Sequence, residues 1–574
     1  MKWFHLNMDE GDKSCNIDLW PYMDEYEIAY DTGFKHADGS TAQVFSSYDE
    51  STIDTHFRWM SEYGIDAAFM QRFYGYIDQS NKDFPNYVSV LQKAYKAAQK
   101  YGVGFAVMYD LSGLPSDGGA ELLIKDWKYL VDTLKFTESD DNSYVYHRGR
   151  PLVILWGTGI SGRIVWSDES DVSRFLDFLK NDPQYGNCSV MFGTACGWRT
   201  GVGDAHYPEK EKAFYKKYAD IISPWTPGRM SFRESDGKII WPHGGTNPET
   251  HTSYTFDELV ALDKEWCDEN GIDLMPVAYP GFSWWNMNGK EYEMTPRRKG
   301  KYFWELANQA VKGGAKMIYC AMFDELDEGT AIFKVSDNPP VSDSCKFVAM
   351  EGLPEDHYLF LAGKFHDLFN LRRELPMPAR IITKNSAAAL GEFVIYESES
   401  PVMISPFAPN PETKCYVSIN SSDFGECASE YLPIRKAGDY EISYYSRQTS
   451  LGEREGVLES IKVRILPALP AALSESSKET MLEVFSRENF DYDAWLSSSA
   501  YGAYRRGLNS PIEGSPDGSS VSLYSELGLS YKLQRSSDLK NWEDVSELEG
   551  TGETLEIPQT QSGENVFYRA VISQ

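Results

Sequence analysis

The chain has 574 residues, room for about two to four domains, and its 42% hydrophobic and 14% aromatic content supplies large buried cores. Lys plus Arg number 55 against 86 Asp plus Glu, and the resulting formal charge of -31 repels phosphate backbones and anionic membranes, which excludes nucleic acid as a natural partner. The absence of any run of about 18 apolar residues argues against membrane insertion.

In chain order, Met1 to Leu6 reads as the remnant of a first strand, followed by a long acidic, Tyr-rich loop to about Ser47. A repeating rhythm then begins. Ile53, Phe57, Met60 and Tyr63 recur at helical spacing, Gly64 stops that helix, and the strand IDAAFMQRF follows. The helix VSVLQKAYKAAQKY ends at Gly102 and precedes the strand VGFAVMYDLSG. Further helices around LLIKDWKYLVDTL, VSRFLDFLKNDP, KAFYKKY, FDELVALDKEWCDENG and KYFWELANQAVKGG precede the strands PLVILWGTG, NCSVMFGTA, ADIISPWT, DLMPVAYPGFSWW and AKMIYCAMF. This alternation predicts an α/β fold, a (β/α)8 TIM barrel over residues 1–375. A doubly wound sheet is the competing architecture, but its glycine-rich nucleotide fingerprint follows none of the early strands.

Past Pro378 the helices stop. EFVIYES, KCYVSIN, GDYEISYYSR and LESIKVRIL predict a β-sandwich over 376–468, the Pro- and Ala-rich stretch at 469–480 a linker, and 481–574 a small β-rich module that opens with a helical segment. The eight cysteines are dispersed without zinc-site spacing, so no structural metal and no cofactor is expected. Cys267 and Cys320 read as buried thiols, while Cys415 and Cys427 are expected to bridge if the compartment is oxidising. The chain opens abruptly at MKWFHLNMDE, and a secreted or periplasmic location with the leader removed is the expectation.

Chemistry concentrates after the last strand. Asp324, Glu325, Asp327 and Glu328 follow an apolar run directly, which puts them at a strand's carboxyl end, where a parallel barrel does its chemistry. A carboxyl pair with pKa values pushed apart by crowding and burial suits general acid and base work on a glycosidic bond, and Glu325 with Glu328 is the candidate pair. The same acids also fit a solvated loop or a hard-cation site. Other strand ends offer Arg72, to hold a carboxylate or a substrate oxygen, Tyr109, and Asp110, which fits either a site or the cap of the turn that follows. Trp156, Trp198, Trp225 and Trp284 are candidate stacking platforms for sugars, with core packing as the other reading; Asp327 and His5 complete the substrate-binding candidates. Arg72, Arg199, Arg229, Arg297 and Arg298 are a candidate basic patch for an anionic, for instance sulfated, polysaccharide.

The element Glu325-Leu326-Asp327-Glu328-Gly329-Thr330 resembles the E-W-H-E-G-T element of glycoside hydrolase family 99, the endo-acting α-mannosidases and mannanases, and their family 71 relatives. FKHADGSTAQVFSSYDESTIDTHFRWMSEYGIDAAFMQRF, VMYDLSG, LIKDWKYLVD, ADIISPWTPGR, PGFSWWNM and AMFDELDEGTAIFK are similar to a bacterial family 71/99-like group. The resemblance implies a retaining glycosidase acting on an α-linked, manno-configured polysaccharide or oligosaccharide through a 1,2-anhydro intermediate. Glu325 is then the base at the 2-hydroxyl and Glu328 the general acid and later base. Leu326 and Asp327 stand where the family has Trp and His, a departure that bears on the choice of sugar. The β-sandwich and terminal module lie outside the family pattern, and a non-catalytic carbohydrate-binding protein is the reading from a different class.

Overall fold

The computed structural model describes residues 15–383 except 116–117, 136, 138–142, 162–170, 206 and 290–291. Beyond these it describes 388–390, 393–396, 402–405, 413–427, 431–432, 434, 438–449, 453–465, 513–514, 520–524, 530–537, 540–549, 554–558 and 567–572. The remnant strand at Met1 to Leu6, His5 within it, the linker at 469–480 and the helical segment after it lie outside the described residues.

The region expected to be one long loop contains a hairpin of β1 (Tyr30–Lys35) and β2 (Thr41–Val44), paired antiparallel. Its turn holds Asp38-Gly39, with Gly39 at φ 88°, a turn signal hidden in an acidic stretch. Then α1 (Glu50–Glu62) buries Ile53, Phe57 and Met60 along one stripe and gives way at Gly64, φ 73°. The rhythm continues through β3 (Ala67–Phe73), α2 (Phe84–Tyr101), β4 (Gly104–Asp110), α3 (Gly119–Leu134), the short β5 (Tyr146–His147), β6 (Arg150–Thr158) and α4 (Asp171–Asn181). It runs on as β7 (Ser189–Ala195), α5 (Pro208–Tyr218), β8 (Ile221–Trp225), the hairpin β9 (Ser231–Arg233) and β10 (Lys238–Ile240), and α6 (Phe256–Glu269). It ends with β11 (Asp273–Leu274), β12 (Val277–Ala278), α7 (Trp285–Asn288), α8 (Lys301–Lys312), β13 (Tyr319–Cys320) and α9 (His357–Leu371).

The strands β3, β4, β6, β7, β8 and β11 pair in that order, each parallel to the next. β12 continues β11 across Pro276 and pairs parallel with β13. Every residue of β7 is buried, as a strand covered on both faces requires. A parallel sheet with a helix after nearly every strand is an α/β barrel arrangement. Among the described residues the arc does not close, since no strand pairing joins β13 to β3. Phe69 of β3 nevertheless meets Tyr319 of β13, ring centroids 5.4 Å apart, across the interior of the arc.

The chain divides into two compact units, 1–378 with Leu451–Arg454, and Ala379–Ser450 with Glu455–Gln574. In the second unit the strands Phe393–Tyr396, Glu459–Ile465, Gly438–Gln448 and Thr413–Ile419 are neighbours in one sheet, and Arg380–Ile382 pairs with Met403–Ser405 in another. Ile381 and Ile404 from the small sheet share a core with Tyr396, Ile442, Val463 and Ile465 from the large one. The last part of this unit forms two three-stranded sheets. Cys415 and Cys427 lie side by side without a bond between them, the Cys427 N–H donating to the Cys415 carbonyl at 2.8 Å.

Candidate active site

Alternation along a strand decides which strand-end residues enter the arc. Phe69 points inward, so Gln71 on β3 does too, and its amide donates to Asp110 at the end of β4, 2.8 Å away. Trp156 of β6 and Trp225 of β8 meet edge to face with centroids 5.1 Å apart, and Trp225 lies 6.4 Å from Tyr319. Trp225, Val277 and Ala321 form a buried cluster against which Trp156, Tyr319 and Met322 pack, the last three half-buried. An aromatic floor therefore occupies the carboxyl end of the arc.

The acid turn follows β13, beginning two residues past Met322, which packs on this cluster. Asp324 is exposed, Glu325 and Glu328 are partly buried, and Asp327 is buried. Glu325 Oε1 accepts the Asp327 N–H at 2.9 Å, folding that carboxylate back on its own turn. Burial pushes the Glu328 carboxyl above the usual range; the Arg229 guanidinium opposes the shift and Asp327 adds to it. Gly329 has φ 62°, and a Cβ there would stand 3.2 Å from Ser283, so the turn at this point requires glycine.

Three elements distant in sequence hold the turn by its backbone. The Leu326 carbonyl accepts the Asp18 N–H at 2.9 Å, and the Glu328 carbonyl accepts the Ser283 N–H at 2.9 Å. Buried Arg297 donates from Nη2 to the carbonyls of Gly329 and Ala331, at 2.9 and 2.8 Å. Asp18, fully buried, accepts from Ser283 Oγ at 2.5 Å, from Trp285 N–H at 2.8 Å and from Asn286 N–H at 2.8 Å. Burial raises the Asp18 carboxyl, these three donors oppose the rise, and Asp327 adds to it. Sequence reading missed Asp18, Ser283 and Arg297 in these roles. Arg297 was singled out only as one of a basic cluster, and a carboxylate that caps a helix 267 residues away leaves no local signal.

Several candidates sit elsewhere. Arg72 is 3% exposed and binds Asp126 of α3 through Nε at 3.0 Å and Nη2 at 2.5 Å, so it holds a carboxylate behind the sheet rather than a substrate oxygen. Tyr109 donates to the same Asp126 at 2.9 Å and packs on Phe175 of α4. Trp198 is fully buried, packs on Trp266 and donates to Asp263, both of α6. All three belong to the layer between sheet and helices because their positions alternate out of the arc or follow its strands. Asp110 accepts the Ser112 N–H at 2.7 Å as well as Gln71, so it caps its turn while facing inward. Trp284 is half-buried at the start of α7, 5.8 Å from Phe282.

Each arginine of the candidate basic patch is engaged within the protein. Arg72 is paired with Asp126, Arg199 with Asp263 at 2.9 Å, Arg229 with Asp204 at 2.5 Å and Arg298 with Glu234, while Arg297 serves the acid turn. Among the described residues no helix is long and apolar enough to cross a membrane, and no group of three or more His, Cys, Asp or Glu is arranged to hold a metal.

At the opposite end of the strands His147 bridges Ser189 Oγ at 2.6 Å and Asp273 Oδ2 at 2.8 Å. Ser189 is fully buried and opens β7, so this Ser-His-Asp set ties strands together at the stability face and offers no accessible nucleophile.

No family model and no curated protein matches this sequence. Among solved structures, the chain is similar to the GH99 endo-alpha-mannosidase from Bacteroides thetaiotaomicron at 16% identity, over 62% of this chain and 92% of that one, with a TM-score of 0.42. A glycoside hydrolase-like protein aligns at 13% identity over 64% of this chain and 97% of its own, TM-score 0.40. A beta-glucuronidase from Parabacteroides merdae aligns at 10% identity over 94% of this chain and 60% of its own, TM-score 0.32.

Proposed function

We propose that this protein is a retaining glycoside hydrolase that cleaves an α-linked, manno-configured glycan with Glu328 as general acid and then base. The observation that carries this reading is Glu328 itself: a carboxyl raised by burial, on the turn that follows β13, the strand whose Tyr319 packs with Trp156 and Trp225. A carboxyl that keeps its proton to a higher pH than an ordinary glutamate suits a glycosidic leaving oxygen, and indole and phenol rings are suited to sugar faces. Glu325, three residues away on the same turn, is assigned the proton of the 2-hydroxyl, with closure to a 1,2-anhydro sugar that water then opens under Glu328.

The assignment is tested on a panel of neutral α-mannans and oligosaccharides with wild type, Glu325→Gln and Glu328→Gln, following the anomer released by proton NMR. Loss of at least about a hundredfold in turnover in both variants, with binding retained, is expected for a general acid–base pair. Undiminished hydrolysis by Glu328→Gln removes that residue from the chemistry. Binding without hydrolysis by the wild type across the panel makes the protein a carbohydrate-binding module instead.

A further inference from the structure

Cys15 lies three residues before Asp18 in the strap that holds the acid turn. Cys15 Sγ lies 3.5 Å from Cys345 Sγ, in a contact that joins positions 330 apart, and both side chains are buried, at 7% and 8% exposure. The two segments are already laced together. Asp18 O accepts the Val348 N–H at 2.7 Å, and the Asn286 amide donates to the carbonyls of Ile17 at 2.7 Å and Lys346 at 2.6 Å. Trp20 packs edge-on against Phe347, centroids 5.4 Å apart. Backbone ties on both sides therefore fix where the two sulfurs sit.

We propose that Cys15 and Cys345 form a disulfide, a covalent staple that locks the strap carrying Asp18 and Leu19 under the acid turn. A bonded pair has its sulfurs about 2.05 Å apart, so the bond requires the two sulfurs to close from 3.5 Å between segments that the hydrogen bonds above already hold together. The oxidant is a small-molecule disulfide such as oxidised glutathione. One cysteine thiolate attacks it and releases one glutathione thiol; the other cysteine thiolate displaces the second glutathione thiol, and the two protons leave with the products. The cysteines lose two electrons, which the glutathione disulfide gains. Burial of both sulfurs means that exchange happens while the chain folds, before the strap seats. A link that closes so long a loop restricts the unfolded chain, so the folded state gains.

The full chain, folded in a glutathione redox buffer, is alkylated in denaturant, digested without reductant and mapped by mass spectrometry. The expected product is a linked pair of peptides containing Cys15 and Cys345, two hydrogens lighter than their sum and separated by reductant. Melting is compared in a Cys415→Ser/Cys427→Ser background so that the other adjacent pair does not contribute. There the oxidised protein is expected to melt higher than the same protein carrying Cys15→Ser and Cys345→Ser. Recovery of both cysteines as alkylated peptides, linkage of Cys345 to a different cysteine, or equal melting of the two proteins overturns the proposal. The map reads the bond whatever reaction the acid turn performs, so it stands or falls apart from the hydrolase reading.

Discussion

At the scale of single residues, burial sets two opposite roles for charge. Glu328 has its carboxyl raised in the folded chain, so between its unfolded and folded values the native state holds more protons than the unfolded state, and stability falls as pH rises through that window. Above the window the charged, partly buried group is a standing cost. Glu328→Gln is therefore expected to melt higher than wild type at pH 7 and to lose that advantage near pH 4, by at most about 1.4 kcal/mol for each pH unit of the window. The same shift places the alkaline limb of the kcat/KM profile above the ordinary glutamate range. A Glu328→Gln protein that melts identically at both pH values contradicts the assignment. Arg72 is the converse case, a buried cation whose removal strands the Asp126 carboxylate. Arg72→Met is expected to cost about 3–5 kcal/mol in urea unfolding, and replacing Asp126 by Leu as well to restore much of it. A substrate-binding arginine would instead raise KM with little loss of stability.

At the scale of elements, the acid turn is held by its backbone, and its holders belong to the strap before β1, the segment before α7 and the loop before α8. Arg297 spans two carbonyls that a lysine ammonium cannot match in geometry, and its loss leaves Gly329 O and Ala331 O without those donors. Arg297→Met is expected to lower turnover about ten- to a hundredfold, the equivalent of about 1–3 kcal/mol, with the pH profile unchanged in shape because Glu328 keeps its surroundings. A shifted profile would mean that Arg297 acts on the carboxyl rather than on the turn. This is also where the sequence stopped being informative. The order of strands and helices was legible because each helix carries an apolar stripe and many end in a glycine such as Gly64 or Gly102. Which alternate residues enter the arc was not, because strands buried on both faces show no alternation; Gln71 and Arg72 looked equivalent, yet only Gln71 shares the face of Phe69. Trp156 and Trp225 meet each other while Trp198 packs among helices, a difference the sequence did not show because position after a strand was the only guide.

At the scale of the whole molecule, a formal charge of -31 meets a site beside which Arg229 is matched to Asp204 and Arg297 gives its hydrogen bonds to backbone carbonyls of the turn. The acidic balance was plain from composition, but what Arg229 and Arg297 bind near the acid turn needed the structure, because each partner comes from a different element. The field that a substrate feels is thus negative overall, reaching about 30 Å at 0.01 M salt and about 8 Å at 0.15 M. For a neutral glycan this field does no work on the approach, and kcat/KM is expected to change less than about twofold between those two salt concentrations. For a sulfated or otherwise anionic glycan the same field is a barrier that salt screens, so the rate would climb steeply with ionic strength. Stopped assays on a matched neutral and sulfated pair across that range separate the two. A sulfated substrate turned over faster at low salt than its neutral counterpart would require a cationic subsite, and would overturn the assignment of a neutral, manno-configured substrate.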